Sequence, residues 1–378
     1  MTKWTKLAQA GSVPIDRSSH SITVIDNKVY LFGGEHDPRV PVGNELYEYD
    51  MATGTWRVVE VKGEAPPPRV AHAAAAVGST LYVFGGRDGR DVGEGASNQL
   101  HAFDTTTSTW RLLAPAGSPP PQRSYHTMTS LGHKLYVFGG CGEKGRLNDL
   151  HQYDTATNTW TPLAVPSAEA VPGRGGSCLV PGAVGGGKQQ LFVVAGFCGR
   201  ELDDMHVYSV PDNTWCGSAC PSCHSPVHEH EQHHNNSHDH DHAHAGAASP
   251  AAAAAAASCG GGKLPARSVF GAGVHECGQS GCEHDGALLV YGGEVDPSDK
   301  GHDGAGDFCA SLMEFGARGP AAAAAAGGWR PLEAGGDSPG PRGWFAATTT
   351  PDGRLLLHGG LDGNNQRLGD MYVLDVHA

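Results

Sequence analysis

Apolar residues in this chain come in short runs that end in Gly-Gly or a close variant: LFGG at 31–34, VFGG at 83–86, VFGG at 137–140, VVAG at 193–196, VYGG at 290–293 and LHGG at 357–360. An Arg-led segment precedes each run: RSSH at 17–20, RVAH at 69–72, RSYH at 123–126, RGG at 174–176, RSVF at 267–270 and RGWF at 342–345. An L-x-x-[YF]-D stretch or a looser form of it follows, at 46–50, 100–104, 150–154, 205–208, 312–315 and 371–375. Then comes a tryptophan: Trp56, Trp110, Trp160, Trp215 and Trp329. Short β-prone runs bounded by Gly, Asn, Asp and Pro are strand signals. Each unit therefore predicts four strands, one opened by the Arg segment, one ending in Gly-Gly, one carrying Leu and Asp, and one centred on Trp.

The second Gly recurs after 52 residues (86−34) and again after 54 (140−86). Four short strands in a repeat of about 50 residues, with Gly and aromatic signposts, is the kelch-type propeller pattern. The expectation is an all-β, six-bladed β-propeller forming a single domain over residues 1–378. Six opening segments stand against five internal Trp strands; the sixth Trp strand is WTKL at 4–7. The last unit stops after its third strand at Asp375, so the N-terminal strand is expected to close the last blade and remove an open sheet edge. The Gly pairs fit turns that need positive φ and close packing, and the tryptophans fit core positions between blades.

Composition narrows the picture. Gly is 55 of 378 residues, high for a globular chain but suited to tight turns in every repeat. A formal charge of −14 argues against nucleic acid and anionic membrane as partners. No apolar run is long enough to span a bilayer, and the opening MTKWTKLAQAGSVP has no apolar signal region. The ten cysteines are irregularly placed and are expected to be thiols in a reducing, cytoplasmic setting.

One break in composition runs over 216–262, with nine His and a seven-Ala run at 251–257. It is expected to be a disordered insertion between blades four and five. Cys216, Cys220, Cys223 and His224 supply zinc-type donors, but their spacing fits no closed zinc module. Loose metal binding and an inert linker both remain open there. Cys277 and Cys282 lie in a turn expected on the opposite face, and a second Ala/Gly run at 321–328 lengthens a turn of blade five.

Four strands running up and down put the segment after each Gly-Gly and the linker into the next blade on the same face. That mouth gathers the opening Arg residues with Glu35, Arg87, Arg146, Phe197 and the stretch 294–302. A repeated Arg also suits a structural tie to carbonyls or carboxylates. Arg87 and Arg146 follow the repeat less closely and are candidates for holding an oxyanion such as sulfate or phosphate. Glu294, Asp296, Ser298, Asp299 and His302 bring carboxylates and an imidazole into one loop, a set that suits Fe(II) or another divalent first-row ion. A plain polar turn is the competing reading.

At YGGEVDPSDKGH (291–302) the chain resembles the plant kelch specifier proteins, the nitrile-specifier, epithiospecifier and thiocyanate-forming group. GGE at 33–35, PRVPVGNELYEYD at 38–50, FGGRD at 84–88, FGGCGEKGRLNDL at 138–150, ARSVF at 266–270, GGEVDPSDKGHDGAG at 292–306 and GPRGW at 340–344 carry the resemblance over nearly all of the chain outside the Ala-rich inserts. It implies a lyase-type activity on glucosinolate aglucones, thiohydroximate-O-sulfates that would otherwise rearrange to isothiocyanates, with diversion to nitriles, epithionitriles or thiocyanates. It also implies Fe(II) on a Glu-x3-Asp-x3-His motif, to which Glu294 and His302 correspond. Ser298 stands at the Asp position, with Asp299 and Asp296 as neighbouring carboxylates. Arg87 and Arg146 are implied as holders of the sulfate. Two other functions compete: a non-catalytic kelch module with a protein partner at the same mouth, and metal handling through the His tract.

Overall fold

The computed structural model describes residues 1–89, 95–182, 189–216, 262–275, 286–298, 304–316 and 328–376. Each repeat becomes one antiparallel sheet, and the six sheets stand around a common axis. Blade 1 runs outward through Ser21–Ile25, Lys28–Phe32, Leu46–Asp50 and Thr55–Val58. The other five repeat this order, and no membrane-spanning helix is found among the described residues. The architecture is the expected all-β, six-bladed propeller. Cys141, Cys178, Cys198 and Cys309 are free thiols.

The innermost strands are Ser21–Ile25, Ala73–Val77, Thr127–Leu131, Cys178–Gly182, Gly271–His275 and Ala346–Thr349, each touching the next around the axis. Their residues are mostly small because six strands converge there. A methyl on Gly273 would come 2.4 Å from the Thr349 hydroxyl. The apolar core lies between the blades, in six clusters, one for each junction. In each cluster a tryptophan from one blade packs against the preceding blade; Trp160, for example, meets Phe84 with ring centroids 5.3 Å apart.

The Arg segments precede the inner strands and do not belong to them. Their backbone forms two closed circuits of hydrogen bonds. In the first, the third residue of each segment (Ser19, Ala71, Tyr125, Gly176, Val269 and Trp344) donates its N–H to the carbonyl of its counterpart in the previous blade, at 2.8–3.0 Å. All six have left-handed backbones, with φ between 48° and 60°. In the second, the last Gly of each Gly-Gly donates to the carbonyl of the next blade's Arg, again at 2.8–3.0 Å. The Gly is required at this position: a Cβ on Gly34 would sit 2.7 Å from the Ser18 carbonyl oxygen.

The N-terminal strand closes the ring as expected. Lys3–Lys6 pairs antiparallel with Arg367–Asp375, Trp4 opposite Leu374. A fifth, two-residue strand was not foreseen. Ala10–Gly11, Lys62–Gly63, Ala116–Gly117 and Gly335–Gly336 each lie parallel to a Trp strand and tie one blade to the next. Its signal is a glycine seven residues after Trp4, Trp56, Trp110 and Trp329. The insertion at 216–262 and the Ala/Gly run at 321–328 lie almost wholly outside the described residues, as do Cys277 and Cys282.

Trp4 is 2% exposed and stacks edge-on to Tyr291 of blade 5 at 4.9 Å. Trp4→Ala is expected to lower the unfolding free energy by about 3–5 kcal/mol in urea titrations. A loss below about 1 kcal/mol would mean that the last blade does not need this strand to pack.

Candidate functional site

Antiparallel bridges place one residue of every blade at the same height on the mouth. They join Ser18 to Glu35, Val70 to Arg87, Ser124 to Cys141, Gly175 to Phe197, Ser268 to Glu294 and Gly343 to Leu361. The residue after each Gly-Gly is thus held by the segment that opens its own blade. The repeat fixes these positions but not the residue types. In blade 3 the equivalent position is Cys141; Arg146 lies opposite it on the returning strand.

The left-handed residues form the floor. Tyr125 and Trp344 come from opposite blades and meet edge-to-face at 5.6 Å, half-buried, across the axis. Below this floor the channel encloses about 430 Å³, lined by inner-strand residues that include Thr23, Thr127 and Thr349. The mouth is therefore a bowl with an aromatic base. Both aromatic residues stand third in their Arg segments, the position that could have revealed them in the sequence.

The six opening Arg residues do not line this bowl. All are buried, and each donates from Nη1 to the first Gly-Gly carbonyl of its own blade, or to the Ala195 carbonyl in blade 4, at 2.7–3.1 Å. Arg123, Arg174 and Arg342 also grip Asp149, Asp204 and Asp370 with two nitrogens each. Burial alone would push Asp204 up, but hydrogen bonds from His206 and Arg174 outweigh it and hold the carboxyl below its ordinary range. The structural reading of these arginines is therefore the correct one.

Arg87 is only 1% exposed. Its guanidinium lies against Tyr125 and donates to the phenol oxygen at 2.8 Å, so it reaches the bowl through that hydroxyl. Arg146 is exposed, with its guanidinium 4.7 Å from the centre of the Phe197 ring. These two sit in blades 2 and 3, and Glu294 sits in blade 5, across the mouth from Arg87.

Glu294 begins a small hairpin, Glu294–Asp296 paired with Asp307–Phe308. Its buried carboxylate accepts the backbone N–H groups of Ser298 and Gly306. Gly306 leaves room for it, since a Cβ there would lie 2.3 Å from Glu294 Oε1. Burial pushes the Glu294 carboxyl up to about 7, against those two hydrogen bonds and with help from Asp296. Asp296 is exposed and Ser298 half-buried beside it; Asp299 and His302 lie outside the described residues.

Facing Glu294 is Glu201 of blade 4, which sequence reasoning missed. It is 7% exposed, and its Oε1 accepts the Ser268 hydroxyl at 3.2 Å. Burial pushes this carboxyl up to about 8; the Ser268 bond opposes the shift, and Glu294 and Asp296 add to it. Its Oε2 is buried without a hydrogen-bond partner. An orphaned carboxylate oxygen beside a second buried carboxylate is the donor type that divalent cations accept, although no cluster of three or more His, Cys, Asp or Glu side chains is assembled among the described residues.

Comparison with known proteins places this chain in company. The family described as the KLHDC2/KLHL20/DRC7 Kelch-repeats domain matches residues 19–243. The N-(sulfonatooxy)prop-2-enimidothioate sulfolyase of Thlaspi arvense is 28% identical, over 100% of this chain and 97% of its own. Kelch domain-containing protein 3 of Bos taurus is 38% identical over 150 residues, and the chain spans 38% of its length. A solved chain described as "Structure of YjhT" superposes with a TM-score of 0.62 at 15% identity, over 95% of both chains, a likeness of fold alone.

The buried Arg–Asp ties give an acid-stability prediction. A carboxylate held low when folded stabilises the protein above its unfolded pKa and loses that contribution as pH falls through the folded value. Arg174→Met leaves Asp204 without its guanidinium and is expected to cost about 3–5 kcal/mol near pH 7. The Arg174→Met/Asp204→Leu pair is expected to recover much of that and to lose less stability than wild type between about pH 5 and about pH 3. Parallel acid limbs in urea titrations would contradict this.

Proposed function

This chain belongs to the kelch-repeat family, and from that premise we propose that its mouth is the working site of a specifier-like protein acting on thiohydroximate-O-sulfates and directing them to simple nitriles. The observation that carries the reading is the similarity to the Thlaspi arvense sulfolyase, which runs the whole length of both chains. The geometry supports it with Arg146 and the Arg87–Tyr125 pair in blades 2 and 3 and the buried carboxylates of Glu201 and Glu294 in blades 4 and 5.

Arg146 meets the sulfate at the open rim, with its guanidinium kept in place by Phe197. Arg87 sets the Tyr125 hydroxyl beneath that position. Both stabilise negative charge that grows on the sulfate as the N–O bond breaks. The floor of Tyr125 and Trp344 stops the substrate entering the channel. Glu294 and His302, with Ser298 or a neighbouring Asp as oxygen donor, would hold Fe(II), which would supply a Lewis acid and a template for the sulfur end.

The competing reading is a non-catalytic module that binds a protein partner at the same mouth. The matches to the kelch-repeats domain over residues 19–243 and to Kelch domain-containing protein 3 over 150 residues, whose descriptions name a repeat and no reaction, favour it.

Incubation of the protein with Fe(II), myrosinase and a glucosinolate separates the two. The specifier reading predicts nitrile above the iron-only control. It also predicts that Arg146→Ala raises KM about tenfold, the loss expected for one charge-assisted contact. Nitrile no higher than the control would sink this reading.

A further inference from the structure

The strand returning after Gly-Gly carries a residue that reaches the next blade, and its partners follow a pattern. In blade 3 it is Arg146, which stacks on Phe197 of blade 4. In blade 6 it is Arg367, 3.7 Å from Glu35 of blade 1. Each pair is complementary. In blade 4 the same position is Glu201, paired across its hairpin with Phe197, and what it faces in blade 5 is Glu294.

The blade 4–5 junction therefore puts acid against acid where the blade 6–1 junction puts base against acid. Ser268 links the two: its backbone pairs with Glu294 in both directions, at 2.9 and 3.0 Å, and its hydroxyl binds Glu201. Among the described residues neither carboxylate has a lysine or arginine partner. Glu201 Oε2 is left buried and unbonded, on a side chain more than nine-tenths buried. Two adjacent buried carboxylates repel, and either a proton or a cation held between them relieves that repulsion.

We propose that Glu201 is a ligand for a divalent cation shared with Glu294, so that the ion bridges blades 4 and 5. The inference rests on the specifier reading for the ion's presence at Glu294 and adds a donor from another blade. That donor takes up the ligand role left open by Ser298 at the motif's middle position. The cation is oxygen-preferring, of the Mn(II) or Fe(II) class, because the donors that blades 4 and 5 offer among the described residues are carboxylate and hydroxyl oxygens. Held this way, the ion fastens the bowl across one junction and lies opposite the Arg87 side.

Mn(II) is the probe of choice, since it favours oxygen donors over the imidazoles of the His-rich stretch. Mn(II) binding to the full chain is followed by electron paramagnetic resonance at neutral pH, beside melting temperature with and without the ion. Glu201→Gln is expected to weaken binding at least about tenfold, since even an outer-shell partner is worth that much. It should also abolish the rise in melting temperature. Glu201→Arg, which copies the blade 6 arrangement, is expected to melt higher than wild type without metal and to bind no Mn(II). Wild-type binding by Glu201→Gln, with Glu294→Gln defective, would overturn the role of Glu201 while leaving the specifier reading intact. Absence of Mn(II) binding by wild type would overturn the site itself. Normal binding with no nitrile formed would instead uphold the site and count against the specifier reading.

Discussion

Six backbone hydrogen bonds, closed head to tail around the axis, hold this molecule in register. Each needs a left-handed residue, and only one of the six, Gly176, adopts that conformation without penalty. For the others the cost is about 1–2 kcal/mol each. Val269, β-branched with φ of 48°, is the least comfortable. The circuit persists because the second circuit, from Gly-Gly to the next Arg carbonyl, and the Arg side chains on the first Gly-Gly carbonyls determine the same segments from both sides.

This strained circuit has a chemical consequence. A left-handed backbone turns the side chain toward the axis, so Tyr125 and Trp344 become the floor of the bowl. Scaffold and site thus share the same tripeptides. The opening Arg residues serve the scaffold, their charge spent on carbonyls and aspartates, and the rim is free to vary. It varies by junction: guanidinium on ring between blades 3 and 4, carboxylate facing carboxylate between 4 and 5, guanidinium near carboxylate between 6 and 1. Specificity can change at these rim positions without disturbing either circuit of hydrogen bonds.

Much of this was legible in the chain. The Gly-Gly, Leu/Asp and Trp signposts fix four strands per blade because each marks a local need: a positive φ, a buried aliphatic, a plug between blades. Trp4 is readable because a five-to-six mismatch has one solution. The face shared by Glu35, Arg87, Phe197 and Glu294 follows from strand direction alone. Arg87 was read as facing the open mouth and lies buried behind Tyr125, because sequence gives the side of a loop but not the depth of a side chain. Glu201 was missed for a similar reason. Its meaning comes from a neighbour 93 positions later (294−201), brought near only when blade 5 docks on blade 4.

The closed ring sets the carboxylates of blades 4 and 5 across the bowl from the Arg87–Tyr125 pair, and the proposed cation lies between those carboxylates. Anomalous diffraction from crystals soaked in Mn(II) tests it most directly. One strong peak within bonding distance of both Glu201 and Glu294 is expected. Density only along the His-rich stretch, or two carboxylates with no peak between them, would contradict it.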